Sequence, residues 1–406
     1  MNVLAAIVIP PHLGDSGAVN AAMHLSHCLT HYCSMDVALM SDRTDESLQG
    51  ALKLMHRRST NVMSFTRYFL PNKYRTLFYR SDIASLVSNY DLVHIHNPIP
   101  AVEMRNIAKA CVAHHVPYVI TTHGFVEVMG ITKAYHLSRL ESLVGDWMIR
   151  RPLDYVIRNA SKICCLAPQD RDLLRNRGLP DEKLVVIPNG VHLDAFAPPT
   201  AEELATVCAK FQLPLEKNTE TPVCFFLANH TRNKGLDVLV DAFRQSERPY
   251  CLVVGGKKRD YHYDGYAKHL KSTQRIVFTD TLTNQEIRVL HHYSDLFVFP
   301  TRADTLPLVV LEAMASSKPV LSTTVGGIPY QVDDSCGRLV DPDNPTELRI
   351  AFEELVQDPA RLRAMGLAAR SKVSEQFNWN DSAAKTFEIY QQVIKLPYRG
   401  GKKGVV

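Results

Sequence analysis

Short apolar runs alternate with stretches of helical periodicity along the whole chain, and the alternation happens twice. Val3–Ile9, Met35–Met40, Asp91–His96, Tyr118–His123, Lys162–Ala167 and Leu184–Ile187 are short and apolar, often β-branched, and several are closed by Pro, Gly or Asn. Such runs read as strands buried on both faces. Val19–Leu29 and Gln169–Arg177 carry helical spacing between them. Pro198-Pro199-Thr200 interrupts the pattern. It then restarts with strands at Val223–Ala228, Tyr250–Val254, Arg275–Phe278, Leu296–Pro300 and Pro319–Thr323. Leu236, Leu239, Val240 and Phe243 fall at i, i+3, i+4 and i+7, one face of a helix. Leu308–Ser316, Leu362–Phe377 and Ala383–Leu396 read as further helices. Strand and helix alternating in two halves predict an α/β protein with two parallel sheets, each covered by helices.

The break places the domains at 1–197 and 198–380, followed by a last helix over 381–396 and a basic tail over 397–406. With 406 residues and 46% hydrophobic content the core can be large, so no disulfide or metal staple is needed. Nine cysteines without a C-x-x-C pair read as reduced, mostly buried thiols in the cytoplasm. A net charge of +4 does not point to nucleic acid. Met1–Pro10 has no basic lead and reads as a first strand, not a signal peptide. No apolar run is long enough to span a bilayer.

Candidate chemistry concentrates in Phe299–Met314. A strand ends at Pro300, a loop carries Asp304, and Pro307 suits the first turn of the helix that follows. Val310 and Met314 share one helix face, while Leu308 and Glu312 share the opposite one and turn Glu312 towards the loop. The pattern puts two carboxylates beside a helix N-terminus, whose dipole and N–H groups favour an anion such as a phosphate.

A carboxylate followed eight residues later by Glu, within Thr305-Leu306-Pro307-Leu308 and Glu312-Ala313-Met314-Ala315 and ahead of Lys318-Pro319-Val320, resembles the signature of the family-4 retaining glycosyltransferases. The resemblance covers nearly the whole chain and is strongest over Val223–Val340. It implies the GT-B fold, two doubly wound Rossmann-like domains with an interdomain cleft. It also implies transfer of a sugar from a UDP- or GDP-linked donor to a glycan or lipid-linked acceptor hydroxyl, with anomeric configuration retained and no metal or other cofactor. On this likeness Asp304 holds donor-sugar hydroxyls, Glu312 the ribose hydroxyls, and Lys234 the diphosphate. The N–H groups around Thr305 to Leu308 (Leu306 among them, Pro307 having none) face the leaving phosphate, and His123 touches the sugar from the other side. Gly14 and Gly17 resemble the glycine loop that lets backbone approach the diphosphate. Front-face attack is expected, because no second carboxylate stands where a double-displacement nucleophile is needed.

Several positions depart from the family pattern. Asp304 replaces the usual Glu, Ala228-Asn229 replaces Gly-Arg, Tyr330 replaces an acid, and Ser317 replaces the Gly that closes the signature helix. Arg232 can supply the charge missing at Asn229 from a shifted backbone position. Two alternatives stay open: a nucleotide-sugar epimerase on the same scaffold, and a member that binds nucleotide-sugar without turnover.

Ser47–Ser81 contains no acidic residue and interleaves Lys53, Arg57, Arg58, Arg67, Lys73, Arg75 and Arg80 with six aromatics. It reads as a helix–loop–helix with aromatic core contacts. The competing reading, through 53–80, is a surface for anionic headgroups or a phosphate-bearing acceptor, as in cell-surface polysaccharide, lipopolysaccharide or glycolipid synthesis. His94 and His96 lack a carboxylate or Cys partner and are not assigned to a metal.

Overall fold

The computed structural model describes residues 1–14, 16–62, 76–97, 99–121, 123, 146–218, 220–258 and 270–395. The chain separates into two compact units, Met1–Asn189 with Trp379–Val406, and Gly190–Asn378.

The first unit is built on β1 (Asn2–Ile7), β2 (Ser34–Ser41), β3 (Asp45–Gln49), β4 (Leu52–Asn61), β5 (Tyr79–Ser81), β6 (Leu92–His96), β7 (Tyr118–Thr121), β8 (Lys162–Cys165) and β9 (Leu184–Val186). The strands lie in the order β3-β4-β2-β1-β6-β7-β8-β9, with β5 paired to β4. Every pairing from β4–β2 through to β9 is parallel, while β3 and β5 run antiparallel to β4. Val3 to Ile7 are all fully buried, as a strand covered by helices on both faces must be. The Trp379–Lys395 helix returns to this unit. Trp379 stacks on His24, and Ser382 Oγ donates to the Pro188 carbonyl at 2.8 Å.

The second unit carries β10 (Val223–Leu227), β11 (Tyr250–Gly255), β12 (Gln274–Asp280), β13 (Leu296–Phe299), β14 (Val320–Thr323) and β15 (Gly337–Val340), all parallel, in the order β12-β11-β10-β13-β14-β15. Phe225, Phe226, Phe297 and Phe299 fill its centre with rings about 6.1 Å apart. The chain winds outward from β10 to β12, then crosses to the other side of β10 to lay down β13. The same reversal occurs between β1 and β6 in the first unit. At such a reversal the crossovers leave in opposite directions, and a crevice opens at the strand C-termini.

Several sequence expectations change. The boundary lies at Asn189/Gly190 and not near Pro198, because 190–197 is tied to the second unit: Val191 N–H bonds the Phe377 carbonyl, and His292 and Arg288 bond the Phe196 and Ala197 carbonyls. The last helix begins at Trp379, where side-chain packing against the first unit starts. Gly17 belongs to a helix, Gly17–Leu29 capped by Ser16, and not to a glycine loop. The described ends of Ser47–Ser81 are strands, not helices, since β4 pairs with both β3 and β5. Within them Arg57 is paired with Asp82 and Lys53 with Glu46. Arg67, Lys73 and Arg75 and the basic tail lie outside the described residues. All nine cysteines are free thiols, eight of them buried. Among the described residues no helix is long and apolar enough to cross a membrane.

His291 is fully buried among Phe196, Phe225 and Phe297, and neither ring nitrogen has a partner among the described residues. Burial pushes it down to about 3. Between its ordinary value near 6.5 and that value, the unfolded chain binds a proton that the folded chain excludes. Stability is therefore full above the ordinary value and falls with acidification through the window, by about 1.4 kcal/mol per pH unit for each such group. His291→Leu removes an unsatisfied imidazole at similar volume. We expect it to raise stability at neutral pH by about 1–2 kcal/mol and to flatten the acid limb. Urea denaturation between pH 4.5 and 7.5 checks both.

Candidate active site

In the second unit three loops leave the C-terminal ends of neighbouring strands and pack backbone to backbone. The turn after β10 reaches Gly235, the loop after β13 runs from Pro300 to Pro307, and the turn after β14 passes through Gly326 and Gly327. Gly235 has φ +72, and a Cβ there would lie 1.9 Å from the Pro300 carbonyl oxygen. Gly326 has φ +53, and a Cβ there would lie 1.7 Å from the Asp304 carbonyl oxygen. Only glycine supplies both the left-handed backbone and the missing volume. Hydrogen bonds then close the assembly. Gly327 N–H donates to the Thr305 carbonyl at 2.7 Å, Arg302 N–H to the Asn233 carbonyl at 2.7 Å, and Thr301 Oγ1 to the same carbonyl at 2.8 Å.

These loops bring the Lys234 ammonium to 2.6 Å from Asp304 Oδ2, with the two side chains 23% and 13% exposed. The ammonium also lies over the Phe299 ring, 5.9 Å from its centroid. The Leu308–Ala315 helix starts directly after the loop. Its N-cap is Pro307, which has no capping side chain, so Pro307 precedes the first turn where the sequence suggested it lies within it. Glu312 sits half-buried on this helix, and its carboxyl has no hydrogen-bond or ion-pair partner among the described residues. Desolvation pushes it up to about 7. A cation, two carboxylates and an uncapped helix start thus surround the strand-order reversal of one sheet. A carboxyl raised by burial with no partner among the described residues is a candidate functional group.

In the first unit the reversal between β1 and β6 gathers histidines. His94 Nδ1 and Nε2 lie 2.7 Å from Tyr390 OH and Thr121 Oγ1, and His96 Nδ1 lies 3.4 Å from His123 Nε2. All three rings are buried, and burial pushes His94 to about 3, His123 to about 4 and His96 well below the usual range. They act as neutral hydrogen-bonding groups. Among the described residues no group of three or more His, Cys, Asp or Glu is arranged to hold a metal ion.

Two family profiles match the chain, "Glycosyltransferase Family 4" over residues 16–195 and "Glycosyl transferases group 1" over residues 210–372. An alpha-maltose-1-phosphate synthase from Mycolicibacterium smegmatis is 30% identical over 300 residues, 70% of this chain and 75% of that protein. A D-inositol 3-phosphate glycosyltransferase from Xylanimonas cellulosilytica is 28% identical over 403 residues, 95% of this chain and 94% of that protein. The chain belongs to the family-4 glycosyltransferases. Among solved structures, Anabaena HepE in complex with UDP and glucose superposes with a TM-score of 0.71 at 15% identity, over 97% of this chain and 100% of that one. The fold is GT-B, and the protein is a glycosyltransferase that uses a nucleotide-sugar donor.

In this glycosyltransferase the second unit places Lys234, Asp304, Thr305, Leu306, Pro307, Leu308 and Glu312 on the segments that follow its central strands β10 and β13. Arg232 is in the same turn, with an exposed side chain and its carbonyl bonded to Arg302. Thr305, Leu306 and Pro307 are buried, so they offer backbone and not side chain. In the first unit Gly14 closes a short 3-10 turn in right-handed helical backbone, and Gly17 opens the following helix in open space. Neither needs a positive φ. The sequence reading missed Arg302 and Asp237. The available signal was an arginine two residues before Asp304 and an aspartate three residues after Lys234, each with an opposite charge nearby in sequence that masks the long-range Arg302–Asp237 pair.

Two glycine substitutions separate packing from backbone freedom. Gly326→Ala drives a methyl into the Asp304 carbonyl, and we expect a loss of about 2–4 kcal/mol. Gly17→Ala meets nothing within 4 Å and should stay within about 0.5 kcal/mol of wild type. Equilibrium denaturation of the two variants measures the contrast.

Proposed function

We propose that this glycosyltransferase transfers a sugar from a UDP- or GDP-linked donor with retention of configuration, and that the second unit's crevice holds the donor. The observation that carries the reading is the Lys234–Asp304 contact at 2.6 Å beside the desolvated Glu312 and the uncapped helix start. Lys234 takes the diphosphate, the helix N-terminus faces its outer phosphate, Glu312 accepts from the ribose hydroxyls, and Asp304 accepts from the sugar hydroxyls. Arg232 adds charge at the diphosphate in place of the residue missing at Asn229. Within the first unit, His123, neutral through burial, is the candidate for hydrogen-bonding a sugar, and the backbone at Gly14 and Gly17 the candidate for approaching a diphosphate.

The step follows from where charge develops. The bond from the anomeric carbon to the diphosphate oxygen breaks early, leaving an oxocarbenium-like sugar and a more negative phosphate. Fixed positive groups near that oxygen favour the transition state over the ground state. The acceptor hydroxyl attacks from the departing group's own face and passes its proton to the leaving phosphate oxygen. Because the ammonium and the helix dipole meet this charge, we propose that no divalent ion is required; full activity in excess chelator is the expected result.

The HepE structure is a complex with UDP and glucose, which supports UDP as the first donor base to test. The acceptor we propose is a glycan or lipid-linked glycan hydroxyl in cell-surface polysaccharide, lipopolysaccharide or glycolipid synthesis. The setting is cytoplasmic, with peripheral membrane contact through 53–80. Pairing of Lys53, Arg57 and Arg80 leaves that contact to Arg58 and to residues outside those described.

A thermal-shift and turnover panel of UDP- and GDP-sugars tests the reading. Lys234→Ala is expected to lower kcat/KM by about 10²–10³. Sugar interconversion would point to an epimerase, and binding without nucleotide release to a non-catalytic member. Glu312 supplies a pH signature. Its folded value, raised to about 7, leaves the carboxyl largely protonated below that pH. The ionised form accepts from both ribose hydroxyls, so donor affinity should fall by up to about tenfold per pH unit below 7. Glu312→Gln should bind more weakly and lose this dependence; titration calorimetry at pH 5.5–8 decides it.

A further inference from the structure

The Arg302 side chain is consumed by protein groups. Its Nη1 and Nη2 donate to the two Asp237 carboxylate oxygens at 2.8 Å each, its Nε meets Asp343, and Nη1 also reaches the Arg232 carbonyl. Its backbone N–H holds the Asn233 carbonyl at 2.7 Å. Arg302 lies on the Asp304 loop, and three of its partners, Arg232, Asn233 and Asp237, flank Lys234. The fork therefore straps the Lys234 turn to the Asp304 loop from both sides of the ammonium. A planar, two-pronged guanidinium fixes orientation in a way an ammonium cannot.

We propose that Arg302 is a positioning residue for sugar transfer: it does not touch the donor but, through Asp237 and the Arg232 and Asn233 carbonyls, holds the Lys234 ammonium where the leaving diphosphate develops charge. This rests on the donor role proposed for Lys234. Asp237 and Asp343 are 33% and 62% exposed, so water can solvate them when Arg302 is removed, and the fold should survive. What is lost is a preset geometry, and misplacement of a catalytic group by a fraction of an ångström falls mainly on the transition state.

The test compares Arg302→Gln, Asp237→Asn and Lys234→Ala, alone and paired. The full-length enzyme is assayed with whichever nucleotide-sugar it turns over. Arg302→Gln and Asp237→Asn are expected to lower kcat by about tenfold or more, with donor KM within about threefold and the melting temperature within a few degrees of wild type. Arg302→Gln added to Lys234→Ala should cost little more than Lys234→Ala alone, because the strap acts through that ammonium. A second readout needs no turnover: acylation of Lys234 by a dilute amine-reactive ester, followed by peptide mass spectrometry, should run about fivefold or more faster in Arg302→Gln once the strap is gone. Unchanged Lys234 labelling overturns the strap itself. Wild-type kcat in Arg302→Gln, or independent multiplication of the two losses, overturns its role in transfer. Full activity in Lys234→Ala, with accelerated labelling in Arg302→Gln, shows that the strap is real and the donor assignment is the part that fails.

Discussion

The second unit depends on one constraint: three loops must meet where β10 and β13 part company, and their backbones must come closer than any side chain permits. Gly235 against Pro300 and Gly326 against Asp304 satisfy it. Once those contacts are made, the polar groups have few choices. The Asn233 and Thr305 carbonyls find donors on neighbouring loops, Arg302 bridges to Asp237, and Lys234 is delivered to Asp304. The functional geometry is thus set by main chain and glycine, with the charged side chains placed by what the backbone leaves open. A loop fixed by its own backbone is a better platform for a catalytic group than a loop fixed by long side chains, because less rotamer freedom remains to be lost when a ligand arrives.

Much of this architecture could be read from the sequence. Parallel strands buried on both faces leave continuous apolar runs, and the runs Val3–Ile9, Val223–Ala228 and Leu296–Pro300 mark β1, β10 and β13 to within a few residues. Helix boundaries were less legible where a cap decides them. The first helix starts at Gly17, capped by Ser16, rather than at Val19, and Pro307 proved to be the cap of the helix it was expected to enter. The pairing of β4 with β3 and β5 was missed because aromatic and basic residues carry no clear period there, and strand pairing is settled by partners distant in sequence. Ser317 is an instructive departure. It does adopt the left-handed conformation that its position demands, at φ +57, without being glycine. Gly366 packs so closely on the Ser317 carbonyl, where a Cβ would lie 2.2 Å away, that the neighbouring helix holds the strained residue in place. The candidate site was legible wherever spacing encodes it, as at Asp304 and Glu312. It was not legible where a contact joins residues far apart in sequence, as between Arg302 and Asp237.

Desolvation works in one direction on both units but with different consequences. It keeps His94, His96 and His123 neutral, so the first unit presents hydrogen-bonding rings and little charge. It pushes Glu312 towards neutrality as well, because among the described residues no cation stands against it. Lys234 and Asp304 are similarly enclosed, yet each has the other at contact distance.

That pairing has a further consequence for what the crevice can accept. A diphosphate that engages Lys234 competes with Asp304 for the same ammonium. If the ligand were a diphosphate alone, Asp304 would be left as a partly desolvated carboxylate facing added negative charge, which is costly. A diphosphate bearing a polyhydroxylated ring changes the balance, since the ring's hydroxyls can donate to the carboxylate that the ammonium has released. Asp304, one methylene shorter than the family's usual glutamate, is drawn back onto Lys234 and reaches less far from the loop. The hydroxyls it can serve are then those closest to the diphosphate. If Lys234 takes the diphosphate as proposed, the resting Lys234–Asp304 pair favours a donor that brings both the anion and the hydroxyls over one that brings the anion alone.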